Sequence, residues 1–111
     1  MALETYRPST IPYGRWEAIR DFTVSLGQQY RDLQPEISYD RYMPVLTWLV
    51  DVVCNRDGYE QDIEVVLDVE TIEMMICDEL DALSVHSRGV CKTTLRRFGE
   101  ALNPSWIGQT I

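Results

Sequence analysis

A single all-α domain of about four main helices is the fold class this sequence predicts, and three observations predict it. Apolar residues recur at spacings of three and four in four separate segments, which is the period of an amphipathic helix. Stop signals separate those segments at Pro35, at Asn55-Arg56-Asp57-Gly58 and at Asn103-Pro104, because proline cannot continue a helix and glycine readily leaves it. The β-branched run within residues 59–67 has no partner strand elsewhere, and an isolated strand is not stable alone. With 111 residues, 45% hydrophobic and 25% charged, the chain has the size and composition of one compact globular domain. It divides into an extended N-terminal arm (residues 1–14), a helical domain (15–104) and a short C-terminal tail (105–111).

The arm holds Pro8, Pro12 and Gly14 without any period, hence its extended reading. The first helix begins at Arg15, with Trp16, Ile19, Phe22 and Leu26 on one face. Its continuation to Tyr30 and Leu33 depends on Gly27, where a break is plausible at about 1 kcal/mol relative to alanine. Ser38 or Asp40 caps the second helix, which is expected to run to about Cys54. Tyr42, Leu46, Leu49, Val50 and Val53 form its main stripe, and Val45, Trp48 and Val52 cover the opposite side. A helix apolar nearly all round belongs at the centre of the fold. Pro44 fits it in the first turn and otherwise introduces a kink.

Residues 59–67 read either as a strand or as a loop; the loop is preferred, with Val66 and Leu67 laid on the core. Asp68 caps a third helix over residues 69–80, with Ile72, Met75, Ile76 and Leu80 inward. Ser84 caps the fourth, residues 85–102, whose core face is Cys91, Thr94, Leu95, Phe98 and Leu102. Trp48, Leu49, Val53, Ile72, Ile76, Leu95 and Phe98 are expected to be buried.

Charge is sorted along the chain. Residues 51–83 contain eleven Asp and Glu against one base, Arg56, whereas residues 84–102 carry Arg88, Lys92, Arg96 and Arg97 against Glu100 alone. The formal net charge of −8 disfavours loose binding to a phosphate backbone or an anionic membrane. Glu64, Glu70, Glu73, Asp78 and Glu79 are the candidate acidic face for a basic protein partner; the bland alternative is a solvated helix surface. Arg88, Lys92 and Arg96, four residues apart, line one stripe with Arg97 further round. They either meet phosphate or pair with the protein's own acids.

Other chemistries find little support. Cys54, Cys77 and Cys91 form no Cys-x-x-Cys pair, and with His86 they match no zinc spacing. Residues 57–62 lack the order of a calcium loop. No catalytic motif occurs, and one histidine without a positioned partner does not make an acid–base site. No enzyme activity, metal or cofactor is expected. An odd set of cysteines points to a reducing, cytoplasmic setting. The longest apolar run, residues 45–54, is too short to span a bilayer, and the N-terminus does not read as a signal peptide. Tyr6, Tyr13 and Trp106 lie in the terminal segments and are candidate aromatic anchors for a partner or for self-assembly, unless the ends dock on the bundle.

Trp16-Glu17 opening the first helix, Leu46-Thr47-Trp48-Leu49-Val50 in the second, Val65-Val66-Leu67-Asp68 before the third, and Leu83-Ser84-Val85-His86-Ser87-Arg88 leading to Leu95-Arg96-Arg97-Phe98-Gly99-Glu100-Ala101-Leu102 carry a resemblance. Over residues 15–104 the chain resembles the helical, SAM-like core-binding domain of phage-integrase-type tyrosine recombinases, particularly actinobacterial integrase-like sequences. The resemblance implies a phage or mobile-element setting and a DNA clamp using Arg15 and Arg20 near the arm and Arg88, Lys92 and Arg96 on the last helix. It does not extend to the family's catalytic domain, and His86-Ser87-Arg88-Gly89 is not the family's His-x-x-Arg motif. Two functions are therefore expected, in this order: a non-catalytic protein-interaction module, and alternatively a DNA-associated accessory module binding duplex backbone through the basic last helix.

Overall fold

Helix formation begins two residues earlier than the periodicity predicts, because Pro12 supplies the first carbonyl. The computed structural model describes residues 6–8, 11–79 and 85–103, with the backbone alone for residues 85–88. Helix α1 spans Tyr13–Leu33, and the N–H groups of Arg15 and Trp16 both donate to the Pro12 carbonyl at 3.1 Å. It passes through Gly27 without a break. The glycine's weak helix propensity, about 1 kcal/mol, is set against the burial of Leu26 and Tyr30 on either side, worth about 1.5–3 kcal/mol for each large apolar side chain. The carbonyl of Gly27 also accepts the Tyr42 hydroxyl at 3.3 Å. Leu33, at the end of this helix, is exposed.

Helix α2 spans Tyr39–Val50 and continues as a π-helical stretch over Asp51–Arg56, where an unbroken α-helix was expected to about Cys54. The wider turn is closed by the Asp57 N–H donating to the Val52 carbonyl at 3.0 Å. Pro44 lies in the second turn rather than the first. Its missing N–H would have bonded the carbonyl of Asp40, and both residues are exposed, so water can serve that carbonyl. Gly58 then adopts a left-handed backbone, φ 77°, which a side chain would resist.

The segment after this turn corrects the loop expectation. Residues Ile63–Val66 form one short helix, α3, because the Asp62 side chain accepts the Glu64 N–H at 2.8 Å and caps it. Val66 and Leu67 are fully buried as expected. Asp68 caps helix α4, Val69–Met74, by accepting the Glu70 N–H at 3.1 Å. A second π-helical stretch, Met75–Glu79, follows where an α-helix to Leu80 was expected; Leu80 lies outside the described residues. The Thr71 hydroxyl donates to the Val65 carbonyl at 2.9 Å, joining α3 to α4. Helix α5 spans Val85–Leu102; its expected cap, Ser84, is outside the described residues. Asn103, almost fully buried, donates its side-chain amide to the Leu67 carbonyl at 2.9 Å and so ties the end of α5 to the end of α3.

The result is an all-α bundle of about five helices, with no strand among the described residues. Helix α2 packs on both α1 and α5, while α4 closes on α5. Tyr30, Tyr42 and Phe98 meet edge to face where α1, α2 and α5 converge, with centroids 4.9 Å, 4.9 Å and 6.4 Å apart. Such pairs add about 0.5–1.5 kcal/mol each beyond area burial. Burial pushes both tyrosine phenols above their ordinary range. Leu49, Val53, Ile72, Leu95 and Phe98 are fully buried as expected. Trp48 and Ile76 are only half-buried, because the bundle covers α2 and the end of α4 incompletely on those sides. Replacing Leu49 with alanine should lower unfolding stability by about 2–5 kcal/mol in a urea titration, whereas Trp48→Ala should cost less than its size suggests.

Candidate functional site

Two surfaces of opposite sign emerge from how the chain deploys its charges. Between residues 57 and 79 the sequence places nine acids and no base. Four of these acids have structural work. Asp62 and Asp68 cap α3 and α4. Asp57 accepts the Arg56 guanidinium at 3.0 and 3.2 Å, and Glu79 meets the same guanidinium at 2.6 Å. These contacts hold the Asp57 carboxyl below the usual carboxylate range and raise Arg56 further, with Glu79 as the larger cause.

The remaining five, Glu60, Glu64, Glu70, Glu73 and Asp78, are exposed and form no ion pair among the described residues. Glu70 and Glu73, three apart on α4, share one face. The π-helical turn starting at Met75 brings Asp78 nearer to that face than a continuous α-helix would. Of the five sequence-derived candidates, Glu64, Glu70, Glu73 and Asp78 therefore face solvent. Glu79 does not join them: it is half-buried and clasped by Arg56.

The bases predicted to meet phosphate separate into different roles. Arg15 donates through both Nε and Nη2 to the carboxylate of Asp51, the Nε contact being 3.0 Å. Asp51 is only 3% exposed, and Asn55 donates to its Oδ1 at 2.8 Å and to the Arg15 carbonyl at 3.0 Å. Arg15 thus anchors α1 to the π-helical end of the central helix. Arg20 lies 3.5 Å from an exposed neighbour, Asp21. On α5, Lys92 and Arg97 are exposed and Arg96 is half-buried; the Arg88 side chain is outside the described residues. Of the expected stripe, Lys92 is thus the exposed member among the described side chains, with Arg97 open further round.

Arg97 belongs to a feature that the periodicity did not single out. A cleft of about 580 Å³ lies between the start of α2 and the middle of α5, lined by Tyr30, Ile37, Arg41, Val90, Thr93 and Arg97 among others. A neighbouring cleft of about 550 Å³ shares Tyr30, Ile37 and Arg97 and adds Glu36 and Glu100. Two signals in the sequence pointed here. Val90 is an apolar residue on an otherwise polar side of its helix and is 51% exposed. Arg41 sits in the first turn of α2, where the helix dipole disfavours a cation.

Of the aromatic anchor candidates, Tyr6 docks on the bundle, edge to face with Trp16 at 5.9 Å and Tyr39 at 6.2 Å. Burial pushes its phenol above the ordinary range. Tyr13 is exposed, with the Arg7 guanidinium 4.7 Å from its ring centre, and Trp106 lies outside the described residues. Among the described residues no cluster of His, Cys, Asp and Glu could hold a metal ion. The three cysteines are free, and burial pushes the Cys54 and Cys91 thiols up, which makes both poor thiolate nucleophiles. No helix among the described residues is long and apolar enough to cross a membrane.

No family model matches the chain, and no curated protein or solved structure matches it.

The different tasks of Arg15 and Arg20 on α1 are measurable. Arg15→Ala leaves a buried carboxylate with only Asn55 and should cost about 1–3 kcal/mol in thermal or urea unfolding. Arg20→Ala removes an exposed pair and should stay within about 0.5 kcal/mol of wild type.

Proposed function

We propose that this chain is a non-catalytic protein-interaction module that engages a basic protein through its acidic α3–α4 surface. The observation that carries the reading is the set of exposed carboxylates at Glu64, Glu70, Glu73 and Asp78, which form no ion pair among the described residues, whereas Asp51, Asp57 and Glu79 are paired. Open like charges on one region repel one another, and a basic partner relieves that repulsion and is steered toward it. The scaffold we have in mind is a recombinase core-binding-like helical fold of phage or mobile-element type, working in the cytoplasm. The free cysteines fit a reducing compartment. Docking of Tyr6 leaves Tyr13 as the described terminal aromatic available for self-assembly.

A DNA-associated role is the second reading, favoured by exposed Lys92 and Arg97 on α5. It ranks lower because Arg15 is engaged with Asp51 and because a net charge of −8 opposes a polyanion wherever the acids lie within about 8–10 Å. In a nuclease-treated pull-down from the native host, wild type should recover basic proteins, and Glu64→Gln/Glu70→Gln/Glu73→Gln/Asp78→Asn should lose them. In fluorescence anisotropy at physiological salt, duplex DNA should bind weakly and fade with added salt. Submicromolar DNA binding abolished by Lys92→Ala/Arg97→Ala would reverse the ranking.

A further inference from the structure

The cleft between α2 and α5 concentrates positive charge in a protein that has little to spare. The chain carries 18 acids against 10 bases, yet among the described residues no acid lines the 580 Å³ cleft, Glu36 and Glu100 lining the neighbouring one instead, and Arg41 and Arg97 enter it from different helices. Both arginines are exposed and form no ion pair among the described residues, in contrast to Arg15 and Arg56. Arg41 stands against its own helix dipole, an arrangement that is unfavourable by a few tenths of a kcal/mol and is relieved by an incoming anion. The same lining has an apolar part, with half-buried Ile37, buried Tyr30 and exposed Val90. Thr93 and Thr94 donate their hydroxyls back to the Gly89 and Val90 carbonyls at 3.1 and 2.8 Å, so the strong donors available to a ligand there are the two arginines.

We infer that this cleft docks a segment of a partner protein bearing a carboxylate side chain next to an apolar one, the carboxylate meeting Arg41 and Arg97 and the apolar group covering Val90 and Ile37. Charge complementarity selects the acid, since guanidinium groups pair with carboxylates in a planar, charge-assisted geometry. The apolar lining selects a peptide over a nucleic-acid backbone, which would bury nothing against Val90 and would bring many negative charges toward an already acidic molecule. The volume suits a few side chains rather than a whole domain. This contact is separate from the acidic α3–α4 surface and opposite to it in sign, so the two can be tested apart.

The test is fluorescence anisotropy of the full chain with a labelled peptide containing glutamate–leucine pairs. Two control peptides replace glutamate by glutamine or leucine by alanine, and a labelled DNA duplex is run alongside. The glutamate–leucine peptide should bind best. Its affinity should fall about tenfold or more for Arg41→Ala/Arg97→Ala, and it should also fall for Val90→Asp. Circular dichroism melting should stay near wild type for both variants, because each altered side chain is exposed. Neutralising Glu64, Glu70, Glu73 and Asp78 should not weaken peptide binding. Peptide binding unchanged by the arginine variant would overturn the proposal, as would duplex DNA binding more tightly through the same two arginines. A dimer in sedimentation that the arginine variant dissolves would also overturn it, by making a second copy of the chain the occupant.

Discussion

A buried carboxylate at the end of the central helix is the constraint on which the rest of this structure depends. Asp51 follows the largely apolar stretch of residues 42–50 and is itself buried, where an ionised carboxylate without partners would be strongly disfavoured. Arg15 and Asn55 supply the partners. Asn55 also binds the Arg15 carbonyl, so the three residues hold side chain and backbone of α1 in one arrangement. The register of α1 on α2 is therefore set at this end by polar contacts. At the other it is set by the Tyr30–Tyr42–Phe98 aromatic cluster and the Tyr42 bond to Gly27.

That arrangement also decides which charges remain for the outside. Arg56, at the close of the π-helical stretch, draws Asp57 and Glu79 to itself. The same guanidinium thereby ties the end of one π-helical segment to the end of the other, Met75–Glu79. Helix capping removes Asp62 and Asp68 from the pool of open carboxylates. The surface left on α3 and α4 is acidic because Arg56, the one base within residues 51–83, is already engaged. In the cleft between α2 and α5, Arg41 and Arg97 stay open, and among the described residues no acid lines its wall. Segregation visible along the sequence thus becomes segregation in space, through a small number of specific internal contacts.

Much of the fold was legible in the sequence. The period of three and four located the long helices and, on the last one, buried Leu95, Phe98 and Leu102, while Cys91 and Thr94 of the expected face are only half-buried; Asp68 announced the start of α4 through its capping chemistry. The short helix at Ile63–Val66 was hidden because its β-branched residues speak for a strand, while the Asp62 cap that decides the matter acts through one local bond. Trp48 and Ile76 looked like core because size and apolarity do not reveal which side of a helix a neighbour covers. For the candidate site, outward placement of Glu70 and Glu73 follows from helical geometry, whereas Glu64 lies in the short helix that the sequence hid. The internal pairing of Glu79 and Arg15 was not legible because their partners, Arg56 and Asp51, lie 23 and 36 residues away, and no local pattern records such a pairing. The cleft at Arg41 and Arg97 depends in the same way on two helices meeting.

The most direct measurement of the central constraint is a double-mutant cycle on unfolding free energy using Arg15→Ala, Asp51→Ala and the double variant. Direct pairing of a buried carboxylate with its guanidinium predicts a coupling of about 1 kcal/mol or more, the double variant being less destabilised than the sum of the singles. Additivity within about 0.3–0.5 kcal/mol would contradict it, since Arg15 and Asp51 would then act independently and the register of α1 on the central helix would have another cause.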